Sequence, residues 1–406
     1  MARVLLVCPE PLGQGQPAGI GIRVVEIARV LAADGHSITI LSPDGGSVAP
    51  HAAGRLTPEE LLQHSSSSDV AIVEGHAIND FIAHAKRIPT VVDLYDPFII
   101  ENLHYYASRG AEVFTHDHST LMRALGAGDL FLCASEAQRM FFLGALLAVG
   151  RLNPVAFEHD ATLRKLMAVA PFGVQPPRLR EREATPYAVL FGGIYDWYDP
   201  ILAIDAVAAA RRQLPEITLT FTRHPNTEMS QGLAAEAVRH VERYGYGSFV
   251  RFDPWMPYEQ RGRFFDQFSL SLLTFPPSIE TDLAMRTRIY DYLWAQLPVI
   301  TSSAPGTDEL IERHGAGTVV RSDRAGMFAE AIVAVLSDEE RRNAMVQGAT
   351  RFVEEHQWPM VLAPLREFCR APHIDGTRST FATPHQLSDQ PRSLLHRIGR
   401  RMRRLA

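Results

Sequence analysis

The sequence predicts an α/β protein of two Rossmann-like domains facing a cleft, and three observations lead there. The chain has 406 residues, more than one ordinary core accommodates and enough for two. Short β-branched apolar runs alternate with amphipathic segments, the pattern of parallel strands joined by helices. The alternation breaks once, around residues 169–183, where Pro171, Gly173, Pro176 and Pro177 precede a charged run, and then restarts.

Residues 4–8 read as the first strand. A helix over about residues 20–33 sets Ile20, Val24, Ile27, Ala28 and Leu31 on one face, and Gly35 closes it before a strand at 36–41. Thr57, Pro58 and Glu60 supply an N-cap, a first-turn proline and a capping-box acid, so a short helix starts there. Residues 70–73, 91–94 and 130–133 read as buried strands, and Ser135 with Gln138 opens a helix reaching about residue 149. Past the break, strands are expected at 188–191, 217–222, 249–252, 270–274 and 299–301, with helices after Pro200 and over about 283–295. Helical segments over 323–369 follow, the last running through Trp358 back toward the first domain. The expected divisions are a first domain over 1–170, a linker over 171–185, a second domain over 186–370 and a flexible tail over 371–406. No fixed-period repeat is present, which disfavours solenoids and propellers.

Composition narrows the function classes. With 46% hydrophobic and 21% charged residues the chain is globular in composition, and no apolar stretch is long enough to cross a bilayer. The N-terminal apolar run is too short for a signal peptide and is interrupted by Pro9 and Pro11. Cys8, Cys133 and Cys369 lie far apart without metal-ligand spacing, so a reducing cytoplasm is the expected compartment and no metal site is expected. A net charge of −6 disfavours nucleic acid as a partner.

Open α/β sheets bind ligands beyond the carboxyl ends of their strands, so chemistry belongs in the loops that follow strands. After the first strand, a loop with Gly13, Gly15, Gly19 and Gly21 delivers the chain into a helix N-terminus, where backbone amides suit an anion or a sugar. A plain flexible connection is the alternative; a nicotinamide site is disfavoured because no acid closes the second strand. The strand at 91–94 leads into Tyr95, Asp96 and Pro97; Asp96 either faces a ligand or caps the helix after Pro97. Gly192, Gly193 and Tyr195 follow the first strand of the second domain and let a ligand approach the main chain, while Trp197 and Tyr198 either join them or cover the hinge. The strongest local signal spans 277–300: Thr281 or Asp282 caps a helix, Arg286 and Arg288 gather positive potential for a diphosphate, and Glu280 and Asp291 accept from sugar or ribose hydroxyls. The alternative is that these groups pair with one another on a solvated face.

The order of a glycine-rich loop, a linker of the Ala170-Pro171-Phe172-Gly173-Val174 kind and an acidic helix ending in Leu297-Pro298-Val299-Ile300 resembles the GT-B glycosyltransferases of family 4, over roughly residues 1–370. The resemblance implies transfer of a sugar from a nucleotide-diphosphate donor, with retention at the anomeric carbon, and no cofactor or metal. It implies that Glu280, three residues upstream of the usual place, contacts the donor sugar, and that Asp291, where the family usually has Glu, holds the ribose. The family's histidine at the end of the fourth strand is replaced by Tyr95, with Asp96 beside it. Its Arg and Lys after the Gly-Gly strand are missing, leaving Arg223, Arg286 and Arg288 to supply the charge. Expected catalytic residues are Asp96 and Glu280; the expected donor site is Gly192, Gly193, Tyr195, Arg223, Arg286, Arg288 and Asp291, with Gly19 and Gly21 in the loop.

The acceptor is expected to be a surface glycan, a lipid-linked molecule or a small natural product. Rival readings are a nucleotide-sugar epimerase, a non-sugar coupling enzyme of the same fold and a non-catalytic two-lobed sugar-binding protein. Leu394, Leu395, Ile398, Met402 and Leu405 recur at helical spacing among arginines, so residues 392–405 are either a peripheral contact with an anionic membrane or a solvated or partner-docked tail.

Overall fold

β1 (Arg3–Val7) is buried along four of its five residues and lies between β2 (Ser37–Ser42) and β5 (Val70–Glu74), both parallel to it, with Val4 opposite Ile38 on one side and Val70 on the other. The computed structural model describes residues 1–13, 19–48, 51–106, 110–179, 185–223 and 231–378. Around β1 an eight-stranded sheet grows, with β3 (Gly46–Val48), β4 (His51–Arg55), β6 (Thr90–Asp93), β7 (Leu130–Cys133) and β8 (Met167–Val169), in the order β3-β4-β2-β1-β5-β6-β7-β8. Among the described residues of this sheet, only the β3–β4 pair is antiparallel. β5, β6 and β7 are buried at every residue, which is why they read as unbroken apolar runs.

The second sheet is wholly parallel: β9 (Ala188–Gly193), β10 (Thr218–Thr222), β11 (Val250–Asp253), β12 (Leu270–Leu273), β13 (Val299–Ser302) and β14 (Gly317–Val320), in the order β11-β10-β9-β12-β13-β14. In each sheet the strand order reverses beside the first strand, and that switch opens a crevice at the carboxyl ends.

Local signals place most helices. Thr57 accepts from the Glu60 N–H ahead of helix Pro58–Ser67, and Ser135 accepts from the Gln138 N–H ahead of helix Glu136–Ala148. The helix expected over 283–295 is instead two, Ile279–Leu283 and Thr287–Trp294, because Ala284 is extended. The break has a purpose: Arg286 turns back onto Glu280 six residues earlier, and positions six apart on a continuous helix do not face each other. The N-cap is Ser278, not Thr281 or Asp282.

Two covalent crossings join the domains side by side. The Val174 N–H donates to the His356 carbonyl at 2.9 Å, the Trp358 ring meets Phe172 edge-on at 4.7 Å, and a Cβ on Gly173 would lie 2.5 Å from Trp358. Helix Ala363–Arg370 then returns to the first domain, where Arg366 grips Asp34 with two hydrogen bonds of 2.6 Å. Of the tail expected over 371–406, residues 371–378 are described, and there Asp375 bonds Arg151 at 2.8 Å and Arg378 bonds Asp129 at 3.1 Å, both on the first domain. The basic segment 392–405 lies outside the described residues. Among the described residues no helix is long and apolar enough to cross a membrane.

Candidate active site

The carboxyl end of β9 is built around a bulge. Thr220 of β10 pairs with Leu190 but Phe221 pairs with Gly192, so Phe191 is the extra residue and its carbonyl leaves the ladder. That carbonyl accepts from the Tyr292 hydroxyl at 2.8 Å and from Arg288 at 3.3 Å, and Arg288 also donates to the Gly193 carbonyl at 2.6 Å. Gly192 takes φ +87°, and a Cβ there would come within 2.6 Å of the Tyr292 oxygen, so this glycine is required by the protein's own packing. The half-buried Arg288 guanidinium lies 5.3 Å from the Tyr195 ring centre and 4.7 Å from that of Tyr198. Tyr195 stacks on Trp197, while Tyr198 is buried beneath both Arg286 and Arg288.

The loop after β12 holds the second cluster. Arg286 clasps Glu280 through both terminal nitrogens, at 2.5 and 2.7 Å, and lies over the Phe275 ring. The two residues are buried, so they pair in the interior and not on a solvated face. Asp291 is 31% exposed and accepts from Arg261 at 3.1 Å; burial pushes its pKa up against the pull of that arginine. Arg223 follows β10 and is exposed, its N–H donating to the Asp253 carbonyl at 2.9 Å.

The first domain closes over this loop. Arg23, wholly buried, bonds Asp93 at 2.7 Å and the carbonyls of Ala170 and Pro171 at 2.9 Å, and covers the Tyr95 ring. Asp93 and Tyr95 are thereby structural. Asp96 does not cap the next helix, Phe98–Glu101, whose N-terminus has no side-chain cap. It instead lies close to Glu101, with which it is electrostatically coupled. Burial raises the pKa of both acids, and the charge of Asp96 pushes that of Glu101 further, well above the ordinary glutamate value. Glu280 and Arg286 stand within electrostatic reach of Glu101. Gln138 spans the domains, its amide donating to the Tyr95 carbonyl at 3.1 Å and to the Leu283 carbonyl at 2.9 Å.

The structure thus brings Asp96 and Glu280 together from opposite domains and groups Gly192, Gly193, Tyr195 and Arg288 at the end of β9. At the first helix the N–H of Gly21 is taken by the protein's own Glu10 carboxylate at 2.8 Å, while a Cβ on Gly19 would meet open space. His76, His116 and Asp117 are a group of potential metal-ligand atoms within 4.8 Å of one another; there Asp117 bonds His76 and Asn102, each at 2.7 Å.

The profile of glycosyl transferases group 1 matches residues 175–352. No curated protein matches the sequence. Among solved structures, the fold is similar to Anabaena Alr3699/HepE in complex with UDP and glucose, at 15% identity and a TM-score of 0.70, covering 91% of this chain and 100% of that one. Sucrose-phosphate synthase from Thermosynechococcus elongatus aligns at 15% identity and 0.63, covering 91% and 98%. WaaG, a glycosyltransferase involved in lipopolysaccharide biosynthesis, aligns at 14% and 0.60, covering 91% and 100%. The second domain thus carries the glycosyl transferases group 1 profile, and the chain as a whole has the GT-B fold of these structures.

Proposed function

We propose that the cleft transfers a glycosyl group from a uridine-diphosphate sugar to an acceptor hydroxyl, with retention and without a metal. The observation that carries this reading is the meeting of Asp96 and Glu101 with Glu280 and Arg286 where the carboxyl ends of both sheets converge. The uridine nucleotide follows the complexes of HepE with UDP and with UDP-glucose. Asp291 takes the ribose hydroxyls, Gly193 and Tyr195 let the diphosphate approach the main chain, and Arg288 with Arg223 faces its charge. Glu280, fixed by Arg286, accepts from the donor sugar. As the bond from the anomeric carbon to the diphosphate breaks, its electron pair leaves with the phosphate oxygen, where fixed positive charge lowers the barrier. The acceptor oxygen bonds the same face of that carbon, and its proton passes to the departing phosphate. Asp96 with Glu101 orients the acceptor.

The division into a 1–170 acceptor domain and a 186–370 donor domain follows from these roles. Work on a cell-surface polysaccharide from the cytoplasmic side, with residues 392–405 touching the membrane, agrees with a basic end on an otherwise acidic chain. Thermal stabilisation by a panel of nucleoside diphosphates and their sugars tests the reading: a shift with uridine diphosphate and its sugars supports it, and no shift with any removes it. Interconversion of the sugar without an acceptor would mark an epimerase instead.

A further inference from the structure

At the amino ends of the first sheet's strands, opposite the cleft, lies a cavity of about 350 Å³ lined by Phe81, Ile82, Ala85 and Ala127 and rimmed by Lys86, Arg87, Arg123 and Arg378. Thr90, which begins β6, marks its depth in the sheet. The rim carries excess positive charge. Arg87 and Arg378 share the single buried carboxylate of Asp129, at 2.7 and 3.1 Å, while Lys86 and Arg123 are exposed and have no carboxylate partner among the described residues. The floor is apolar, and Ile82 beside it is 44% exposed. An apolar floor under a cationic rim is the complement of a phosphate attached to a hydrocarbon body.

Where the chain goes next decides the occupant. Arg378 is the last described residue, so the remaining 28 residues begin at this rim, and they hold six arginines against one aspartate. On a chain of net charge −6, basic charge is thus concentrated in the sequence that follows the rim. We propose that this cavity binds the phosphate headgroup of anionic phospholipid, seating the amino-end face of the first domain on a bilayer as a folded contact distinct from the tail. The proposal rests on neither the donor nor the acceptor reading, and its test needs no transfer assay.

The experiment is co-sedimentation of the full chain with vesicles of phosphatidylcholine, with and without phosphatidylglycerol. Three proteins are compared: the wild type, a Lys86→Glu/Arg123→Glu variant and a chain ending at residue 391. The expected result is binding to the anionic vesicles alone, reduced on the order of tenfold in the double variant although its tail is intact, and reduced but still measurable in the shortened chain. Thermal unfolding of the double variant at the wild-type temperature shows that its fold is unchanged. Wild-type affinity in the double variant, with loss only on shortening, would assign membrane contact to the tail alone and overturn the proposal. So would absence of vesicle binding with stabilisation by inorganic phosphate, which marks a free-phosphate site, or retention on RNA in place of vesicles.

Discussion

The Arg286 guanidinium holds the Glu280 carboxylate with both terminal nitrogens, and neither side chain is more than 3% exposed. The pair therefore acts as one unit. Removing either partner leaves an uncompensated buried charge, which costs about 3–5 kcal/mol. Glu280→Ala and Arg286→Ala should each lose stability of that order in urea unfolding, whereas Glu280→Leu/Arg286→Met loses less than the sum of the two. The milder Glu280→Gln should keep the fold and bind nucleotide within a few-fold of wild type, yet lose transfer by at least about a hundredfold. Equal, additive losses would show the two side chains to be independent.

Glu101 gives a signed pH effect. In the folded protein burial and the charge of Asp96 keep it protonated above the pH where an unfolded glutamate ionises, so the native state binds more protons there. Stability must then fall as pH rises from the ordinary carboxylate range through the raised value. Glu101→Gln keeps the shape of the side chain beside Asp96 without the titration. Its unfolding free energy should exceed wild type at neutral pH and vary less between about pH 4 and 8. A wild-type slope in the variant would place the proton elsewhere.

Gly192→Ala drives a Cβ to 2.6 Å from the Tyr292 oxygen and 3.2 Å from Arg288 Cδ, at φ +87°. Calorimetry should find a loss of about 1–3 kcal/mol of stability and, because Arg288 is displaced, nucleoside diphosphate affinity down by roughly tenfold, about 1.4 kcal/mol. Gly19→Ala, with nothing within 4 Å, should leave both unchanged.

Gln138→Leu cuts the hydrogen bond to the Leu283 carbonyl. Small-angle scattering of the ligand-free variant should give a larger radius of gyration, and kcat/KM should fall by about tenfold, the scale of one interdomain hydrogen bond. An unchanged radius would show the closure to rest on other contacts.

Elements with a local cause were legible in the sequence. The Thr57 and Ser135 caps, the Gly35 stop and the buried strands each follow from a few adjacent residues. The short strands β3, β4, β8 and β14 were not: β8 has only three residues, and β14 is half-exposed along most of its length. In the site, the residue types around 280–291 were legible but their partners were not. Arg286 reads as a phosphate ligand until the break at Ala284 turns it onto Glu280. Glu101 ends a short apolar helix and carried no motif; only the fold sets it beside Asp96. Gln138 reads as a cap residue, and its reach to Leu283 spans 145 positions.

Trp358, helix Ala363–Arg370 and residues 371–378 complete the surface of the first domain, although the whole second domain precedes them in the chain. On the ribosome, the segment that covers the first domain emerges roughly 10–40 s after β8, at about 5–20 residues per second. During that interval Phe172 lacks Trp358, Asp34 lacks Arg366, and Arg151 lacks Asp375. The newborn first domain therefore waits uncovered, and a premature stop just before Trp358 would leave both domains synthesised but the first one without its cover.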